Sequence, residues 1–538
     1  MLTLALAQHD FLVGDIAGNL DKARALVAQA REAGAELLLF PEMALSGYPP
    51  EDLLLRPGFM QQVESAVAEF VPCVTGIDVI LGHPWREAGR RFNTVSWIRE
   101  GRVVGRYLKQ RLPNYLVFDE MRYFDPGHAP LVVELGGLRI GVIICEDAWV
   151  QEPALQAHAA GAELLLIPNA SPYRDDKLEA RLDLFARRHA DTGLPMVYCN
   201  LVGGQDELVF DGRSMLVGAD GRAGTPGPLC EEALLLADYD PAAGTFHARD
   251  WPEPPADASA EIYTVLRTGL GDYVRKNGFS DVVFGLSGGI DSSLVLALSA
   301  DALGPGHVHA VMMPSRYTSG LSIELAQEQA LGLGVDFRVL PIEPPLEGLQ
   351  TVLAASFEGL APDVTEENLQ ARIRGNLVMA LSNKFGWLPL STSNKSEAAV
   401  GYTTIYGDMC GGFAPLLDCS KTRVFQLARW RNTISPAIPE RVIARPPSAE
   451  LRPDQTDQDS LPPYELLDQV LQRYVELDWS VARIIEDGFD AAMVRRVARL
   501  VMLSEYKRRQ APPGVRITHR AFGRDRRYPI TSGWREGQ

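Results

Sequence analysis

Three side chains in the first half of the chain could together break an amide bond. Glu42 ends the apolar run "AELLLFPE", Lys109 closes "RVVGRYLK", and Cys145 ends "LRIGVIIC". Side chains just past strand ends can converge on one cleft of an α/β fold. A thiolate would attack the amide carbonyl. A carboxylate would take the thiol proton and return it to the leaving amine. An ammonium would stabilise the tetrahedral oxyanion and depress the thiol pKa. Taken singly, each has a plainer reading: a cysteine closing an apolar strand is usually packing, and a charge after a strand is usually solvated.

The second half holds "FGLSGGIDSSLVLAL", an apolar run, a small-residue turn and a helix-period run, in the order that grips an anion. Gly288 and Gly289 let backbone amides turn inward as a phosphate nest. Ser287, Ser292 and Ser293 add hydroxyls, and the following helix adds its positive end. The lysine of the common phosphate loop is missing. Asp291 beside an anion makes sense if a Mg²⁺ bridges the two. Further on, "LPLSTSNKSEAAVGYTTIYGDM" offers a hydroxyl at Thr392, a cation at Lys395 and a carboxylate at Glu397. A lone Ser-Gly-Gly, or the second string by itself, could be ordinary loop.

Both sets need strand ends to hold them, and the chain supplies strands. "LTLALAQ", "AELLLFPE", "DVILGHP", "FNTVSWI", "LRIGVIICED", "AELLLIPNA" and "PMVYCN" punctuate the first half, with "GNLDKARALVAQAREAGA" as an amphipathic helix between the first two. In the second half "DVVFGLSGG", "HVHAVMMPS", "VDFRVLPI" and "GWLPLSTSN" alternate with the helical "SIELAQEQALGLG" and "ENLQARIRGNLVMALSNKFG". This alternation predicts α/β layers. The proline-bearing "ARDWPEPPADASA", residues 248–260, reads as a linker between residues 1–247 and 261–538. A second proline-rich, acidic stretch, residues 445–463, reads as a flexible loop.

Bulk properties narrow the class. The chain has 538 residues, enough for two or three domains. A formal net charge of -17 argues against electrostatic binding of nucleic acid or anionic membrane. The 6 cysteines form no Cys-x-x-Cys pair, which speaks against structural zinc and a disulfide framework and for a reducing, cytoplasmic setting. The opening "MLTLALAQHD" alternates like a strand and lacks a basic leader, and no apolar run is long enough to cross a membrane.

The wording around these residues carries a resemblance. "FPEMALSGYPPEDLL", "LKQRLPNYLVFDEMRYF", "GVIICEDAW" and "IPNASPY" resemble the nitrilase superfamily, and within it the glutaminase domain of the glutamine-dependent NAD synthetases. "SGGIDSS" is similar to the pyrophosphate loop of ATP pyrophosphatases, which cut ATP between its α- and β-phosphates and so need no γ-phosphate lysine there. The resemblance implies an N-terminal nitrilase-like αββα sandwich and a C-terminal Rossmann-like parallel α/β domain of the ATP-pyrophosphatase (adenine nucleotide alpha hydrolase-like) type. It implies Glu42 as general base, Lys109 as oxyanion partner, Cys145 as nucleophile and Glu120 as a second carboxylate positioning the lysine. Tyr115, Ser171 and Lys177 would hold glutamine. Gly285, Leu286, Ser287, Gly288, Gly289, Ile290, Asp291, Ser292 and Thr392 would hold ATP, and Asn368, Glu397, Lys507 and Asp408 would hold deamido-NAD. Asp291 and Glu397 would carry Mg²⁺, and residues 445–463 would form a lid ordered by substrate. One wording departs from the pattern: Ser393 stands where relatives often have glycine. The implied activity uses ammonia from glutamine to amidate adenylated deamido-NAD, with ATP as co-substrate, in a homo-oligomer built on a dimer of synthetase domains. The resemblance also implies an internal ammonia tunnel. Another ATP-pyrophosphatase amidotransferase, an amide hydrolase with a nucleotide-sensing half, and a non-catalytic scaffold are the alternatives.

Overall fold

The structure is a computed structural model that describes every residue except Pro254, Ala256, Asp454, Arg535, Gly537 and Gln538. Positions 254 and 256 of the expected linker, and 454 of the expected lid, therefore lie outside the described residues. The chain divides into two compact units, residues 1–205 with 209–256, and residues 257–538 with the short stretch 206–208.

The first unit is built on β1 (Leu2–Gln8), β2 (Leu37–Leu39), β3 (Asp78–Glu87), β4 (Arg90–Arg99), β5 (Arg102–Leu108), β6 (Leu131–Leu135), β7 (Leu138–Val142), β8 (Leu164–Asn169), β9 (Met196–Asn200), the hairpin β10 (Val202–Gln205) and β11 (Leu208–Asp211), β12 (Met215–Val217), β13 (Ala233–Asp240) and β14 (Thr245–Arg249). One sheet runs β14-β13-β1-β2-β3-β4-β5 and the other β12-β9-β8-β7-β6. Their facing side chains form a single core. Leu4 and Leu6 of β1, Ile80 of β3 and Trp97 of β4 meet Ile140 and Val142 of β7, Leu166 of β8 and Met196 of β9. The opposite face of β1 is also covered, with Ala5 and Ala7 fully buried, so its strand sequence is an almost unbroken apolar run. The helix Ile16–Glu32 buries Ile16, Leu20, Ala23, Val27 and Ala30 along one stripe, and its N-cap Asp15 accepts from the Gly18 amide. Helices outside and two sheets within make the αββα sandwich that the resemblance implies.

The second unit has a parallel sheet in the order β17-β16-β15-β18, from β15 (Val282–Gly285), β16 (Val308–Met312), β17 (Asp336–Val339) and β18 (Leu388–Pro389). β18 is shorter than "GWLPLSTSN" suggests. Its ladder to β15 is carried by the Leu388 and Leu390 amides, on the Asp281 and Val283 carbonyls, with Pro389 at an edge position where it gives up no bond to β15. The helix Ile290–Leu303, buried nearly all round, starts directly after the β15 turn. A separate helical core over Tyr464 to Val501 completes the unit.

Candidate active sites

In the first unit the sequence-predicted set converges. Glu42, Lys109 and Glu120 are all buried, at 0%, 1% and 4% exposure, which only a closed charge network permits. Lys109 Nζ donates to Glu42 Oε1 at 2.7 Å and to the Glu120 oxygens at 2.8 and 2.9 Å. Tyr48 donates its hydroxyl to Glu120 at 2.8 Å, Asn93 Nδ2 donates to Glu42 Oε1 at 2.6 Å, and the Ala170 amide donates to Glu42 Oε2 at 3.0 Å. Gly82 of β3 allows this closeness, since a Cβ there would meet the Pro41 carbonyl at 2.5 Å and the Met43 amide at 2.6 Å, on either side of Glu42.

Cys145 sits beyond the end of β7, at φ 44°, opening a short 3-10 turn. Asp147 braces that turn. It accepts from the Ile144 amide, from Tyr107 Oη and from the Gln110 and Arg111 amides just after Lys109. One buried carboxylate thus ties the Cys145 turn to the segment after Lys109. Burial raises that carboxyl to about 6. Burial first, then the Glu42 charge, lifts the Cys145 thiol well above its ordinary range; Lys109 and the Ala170 amide oppose the rise without reversing it. Lys109 thus lowers the thiol as expected, but the net shift is upward. Low dielectric and a neighbouring anion outweigh one ammonium that is already paired to two carboxylates. Burial opposes the charge on Lys109, yet Glu120 and Glu42 hold its ammonium well above the usual range. Burial pushes Glu120 up to about 7, moderated by Lys109 and reinforced by Glu42.

Around the thiol stand the residues expected to hold glutamine. Tyr115 donates to the Glu146 oxygens at 3.0 and 2.9 Å. Lys177 Nζ lies 4.1 Å over the Trp149 ring. Burial, then the charges of Arg181 and Arg174, lower Lys177 to about 8. Ser171 is clamped on its backbone by Asn200 and on its carbonyl and hydroxyl by Arg181, itself paired with Asp211 at 2.8 Å. Sequence reasoning missed Glu146, Trp149, Arg181 and Asn93. Glu146 and Trp149 lie inside the quoted "GVIICEDAW", directly after Cys145, and that adjacency was the available signal.

In the second unit Gly285, Leu286, Ser287, Gly289, Ile290, Asp291, Ser292 and Thr392 line one cavity of about 280 Å³, together with Glu397 and Asp408. Gly288 is not among its lining residues. At φ 75°, with the Ser322 carbonyl 2.3 Å from where a Cβ would stand, Gly288 makes the turn possible. The loop hydroxyls hold its shape: Ser292 Oγ donates to the Gly289 carbonyl at 3.1 Å, and Ser287 Oγ accepts from the Gly289 amide at 3.2 Å. Asp291 and Glu397 meet at Lys421, whose Nζ lies 2.6 and 2.9 Å from them, and Asn394 donates to the other Asp291 oxygen at 2.9 Å. Burial, then repulsion from Asp291, leaves the Glu397 carboxyl at about 7 despite Lys421. Among the described residues no three His, Cys, Asp or Glu side chains gather as a metal cluster. Two carboxylates converging on one cation beside a phosphate loop are nevertheless a donor set suited to Mg²⁺, which takes its other ligands from phosphate and water.

Other expected residues fall elsewhere. Asn368 accepts from Thr404 Oγ1 at 2.8 Å, and Lys507 donates to the Gly401 and Thr403 carbonyls at 2.7 Å. With Asp408, which accepts from the Thr404 amide at 2.7 Å and which burial raises to about 6, they gather at the 401–408 loop. Lys395 turns away from the cavity to Glu476 at 2.6 Å and Asp418 at 2.8 Å, and the lysine lining the cavity is Lys421, which sequence reasoning missed. It lies in "CSKTRVF", a segment with no phosphate-loop pattern. Arg374 also lines the cavity, bonded through Nε to the Met313 carbonyl at 3.0 Å. The expected lid contributes Pro447 to Leu451 and Asp457 to the cavity wall, and Glu450 is held by Ser319, Ser322 and Arg445.

Comparison with known proteins gives each unit a family. Residues 3–246 match the carbon-nitrogen hydrolase family and residues 262–511 the NAD synthase family. The chain is 51% identical to the glutamine-dependent NAD(+) synthetase of Xanthomonas campestris pv. campestris, over 99% of this chain and 98% of that protein. It is 48% identical to the one from Rhodobacter capsulatus, over 99% of each. A solved structure of the glutamine-dependent NAD+ synthetase from Acinetobacter baumannii, in complex with adenosine diphosphate, superposes with a TM-score of 0.81 at 44% identity, covering 100% of both chains.

Proposed function

This chain belongs to the glutamine-dependent NAD(+) synthetase family, and from that premise we propose how its residues divide the work. Glutamine is hydrolysed in the first unit. Cys145 Sγ attacks the side-chain amide carbon while Glu42 Oε2 takes the thiol proton, which a thiol held this far up does not release unaided. Lys109 stabilises the oxyanion as the C–N bond breaks, and Glu42 returns the proton to the departing nitrogen. Water then cleaves the thioester to give glutamate. Lys177 takes the glutamine α-carboxylate, while Glu146 and Ser171 accept from its α-ammonium.

In the second unit the nicotinate carboxylate of deamido-NAD displaces pyrophosphate from the α-phosphorus of ATP. Ammonia then attacks the acyl carbon of the adenylate, releasing AMP and leaving NAD. The loop from Gly285 to Ser292 holds the departing pyrophosphate, Thr392 contacts ATP, and Asn368, Glu397, Asp408 and Lys507 hold the dinucleotide. Asp291 and Glu397 would hold Mg²⁺, which when bound neutralises phosphate charge. Lys421 supplies a fixed positive charge between the same two carboxylates. We also propose that the protein is cytoplasmic, in keeping with its free cysteines, and homo-oligomeric. Val352, Leu360, Val364 and Phe385 of the second unit stand at 50% exposure or more, which favours a partner.

The observation that carries the reading is Lys109, fully buried between two carboxylates beside the Cys145 thiol. The test supplies glutamine, ATP, Mg²⁺ and deamido-NAD. Equal yields of NAD, AMP and glutamate are expected; glutamate without AMP would reduce the protein to an amide hydrolase.

A further inference from the structure

We propose that Asn93 is the positioning residue that aims the general base of the glutamine site. The proposal rests on Glu42 being that base. Asn93 lies on β4, 1% exposed, with its amide between the two carboxylates. Nδ2 donates to Glu42 Oε1 at 2.6 Å and approaches Glu120 Oε2 at 3.5 Å. Its backbone carbonyl accepts from the Lys109 amide at 2.8 Å, so one residue registers both the acid and the ammonium.

Two features separate this from ordinary packing. Asn93 Oδ1 is buried with no hydrogen-bond partner, a cost that a merely structural amide seldom carries. Its orientation follows from charge, since a flipped amide would set Oδ1 against two carboxylates. The second feature is the division of labour within Glu42. Oε1 receives both Lys109 and Asn93, while Oε2 receives, among the described residues, the Ala170 amide, which also lowers the Cys145 thiol. A carboxylate turns easily about its last bond. Lys109 cannot set that angle alone, because it also serves Glu120. Asn93 supplies the second fixed donor on Oε1. Oε2 is thereby kept toward the sulfur, ready to take the thiol proton as the S–C bond forms and to pass it to the amide nitrogen as the C–N bond breaks.

The test compares Asn93→Leu, Glu42→Gln and the double variant in the full-length enzyme. Asn93→Leu keeps the side chain's size and removes the donor. We expect kcat with glutamine to fall about 10- to 100-fold, as small misplacements of a reacting group do, with KM for glutamine changed less than about 2-fold. NAD formation from a high ammonium concentration reports the second unit and is expected unchanged, and an unchanged calorimetric unfolding profile reports that the first unit is folded. The rate of Cys145 alkylation by iodoacetamide is expected to fall in Asn93→Leu, and to be the same in the double variant as in Glu42→Gln, because Asn93 acts through Glu42. Additive losses, or a raised KM at unchanged kcat, would overturn the positioning role. If Glu42→Gln itself kept normal glutamine use, the base assignment would fail instead. A wild-type rate in Asn93→Leu beside an inactive Glu42→Gln would remove Asn93 alone.

Discussion

The surroundings of Cys145 favour its protonated thiol, so the proposed attack depends on the carboxylate next to it. Cys145→Ala should abolish NAD formation from glutamine and spare it with ammonium; an assay with the two nitrogen sources side by side decides. Glu120→Ala would take from the buried Lys109 one of its two carboxylate partners, leaving Glu42. Breaking a buried pair costs about 3–5 kcal/mol, and the first unit should show this as a lowered unfolding midpoint by calorimetry. Lys177 adds a pH signature. Burial and the neighbouring arginines bring it to about 8, so its positive charge is present below that pH and lost above it. The kcat/KM for glutamine should therefore decline as pH rises through about 8, and Lys177→Arg should flatten that limb, read from initial rates across the range. In the second unit, Lys421→Met should lower the rate with either nitrogen source by about 100-fold or more, since it removes the fixed charge at the phosphate loop. Rates with glutamine and with ammonium that fell unequally would place Lys421 outside the common step.

At the scale of elements, each site is made by a turn that the strand before it cannot continue. Beyond β7 the chain stays extended to Ile144 and enters the left-handed region at Cys145, and Asp147 holds that turn with its four donors. The β15 turn depends on Gly288 in the same way. Gly288→Ala must push its methyl group against the Ser322 carbonyl at a positive φ, a strain of about 1–3 kcal/mol at the loop. Loss of ATP binding by calorimetric titration, with glutamine hydrolysis retained, is the expected result. Normal ATP affinity in that variant would remove the loop from the nucleotide site.

At the scale of the whole molecule, two units of different architecture each carry a proposed site, and the intermediate shared between them is ammonia. The fold class was legible in the sequence because strands buried on both faces are written as apolar runs, and helices as stripes of period 3.6. Glu42, Lys109 and Cys145 were legible because each follows such a run, and the phosphate loop because small residues between strand and helix have few other uses. The residue types and their order along the chain thus determined which chemistries were on offer. Tertiary structure alone decided who serves them. Lys421, more than 100 residues from Asp291, became its partner while the nearer Lys395 was drawn to Glu476 and Asp418. Asn93 came to stand between two carboxylates, and the thiol was pushed up rather than down. These outcomes depend on distance and burial, and Coulomb energies depend on both. A linear sequence states neither until strands far apart along the chain have paired.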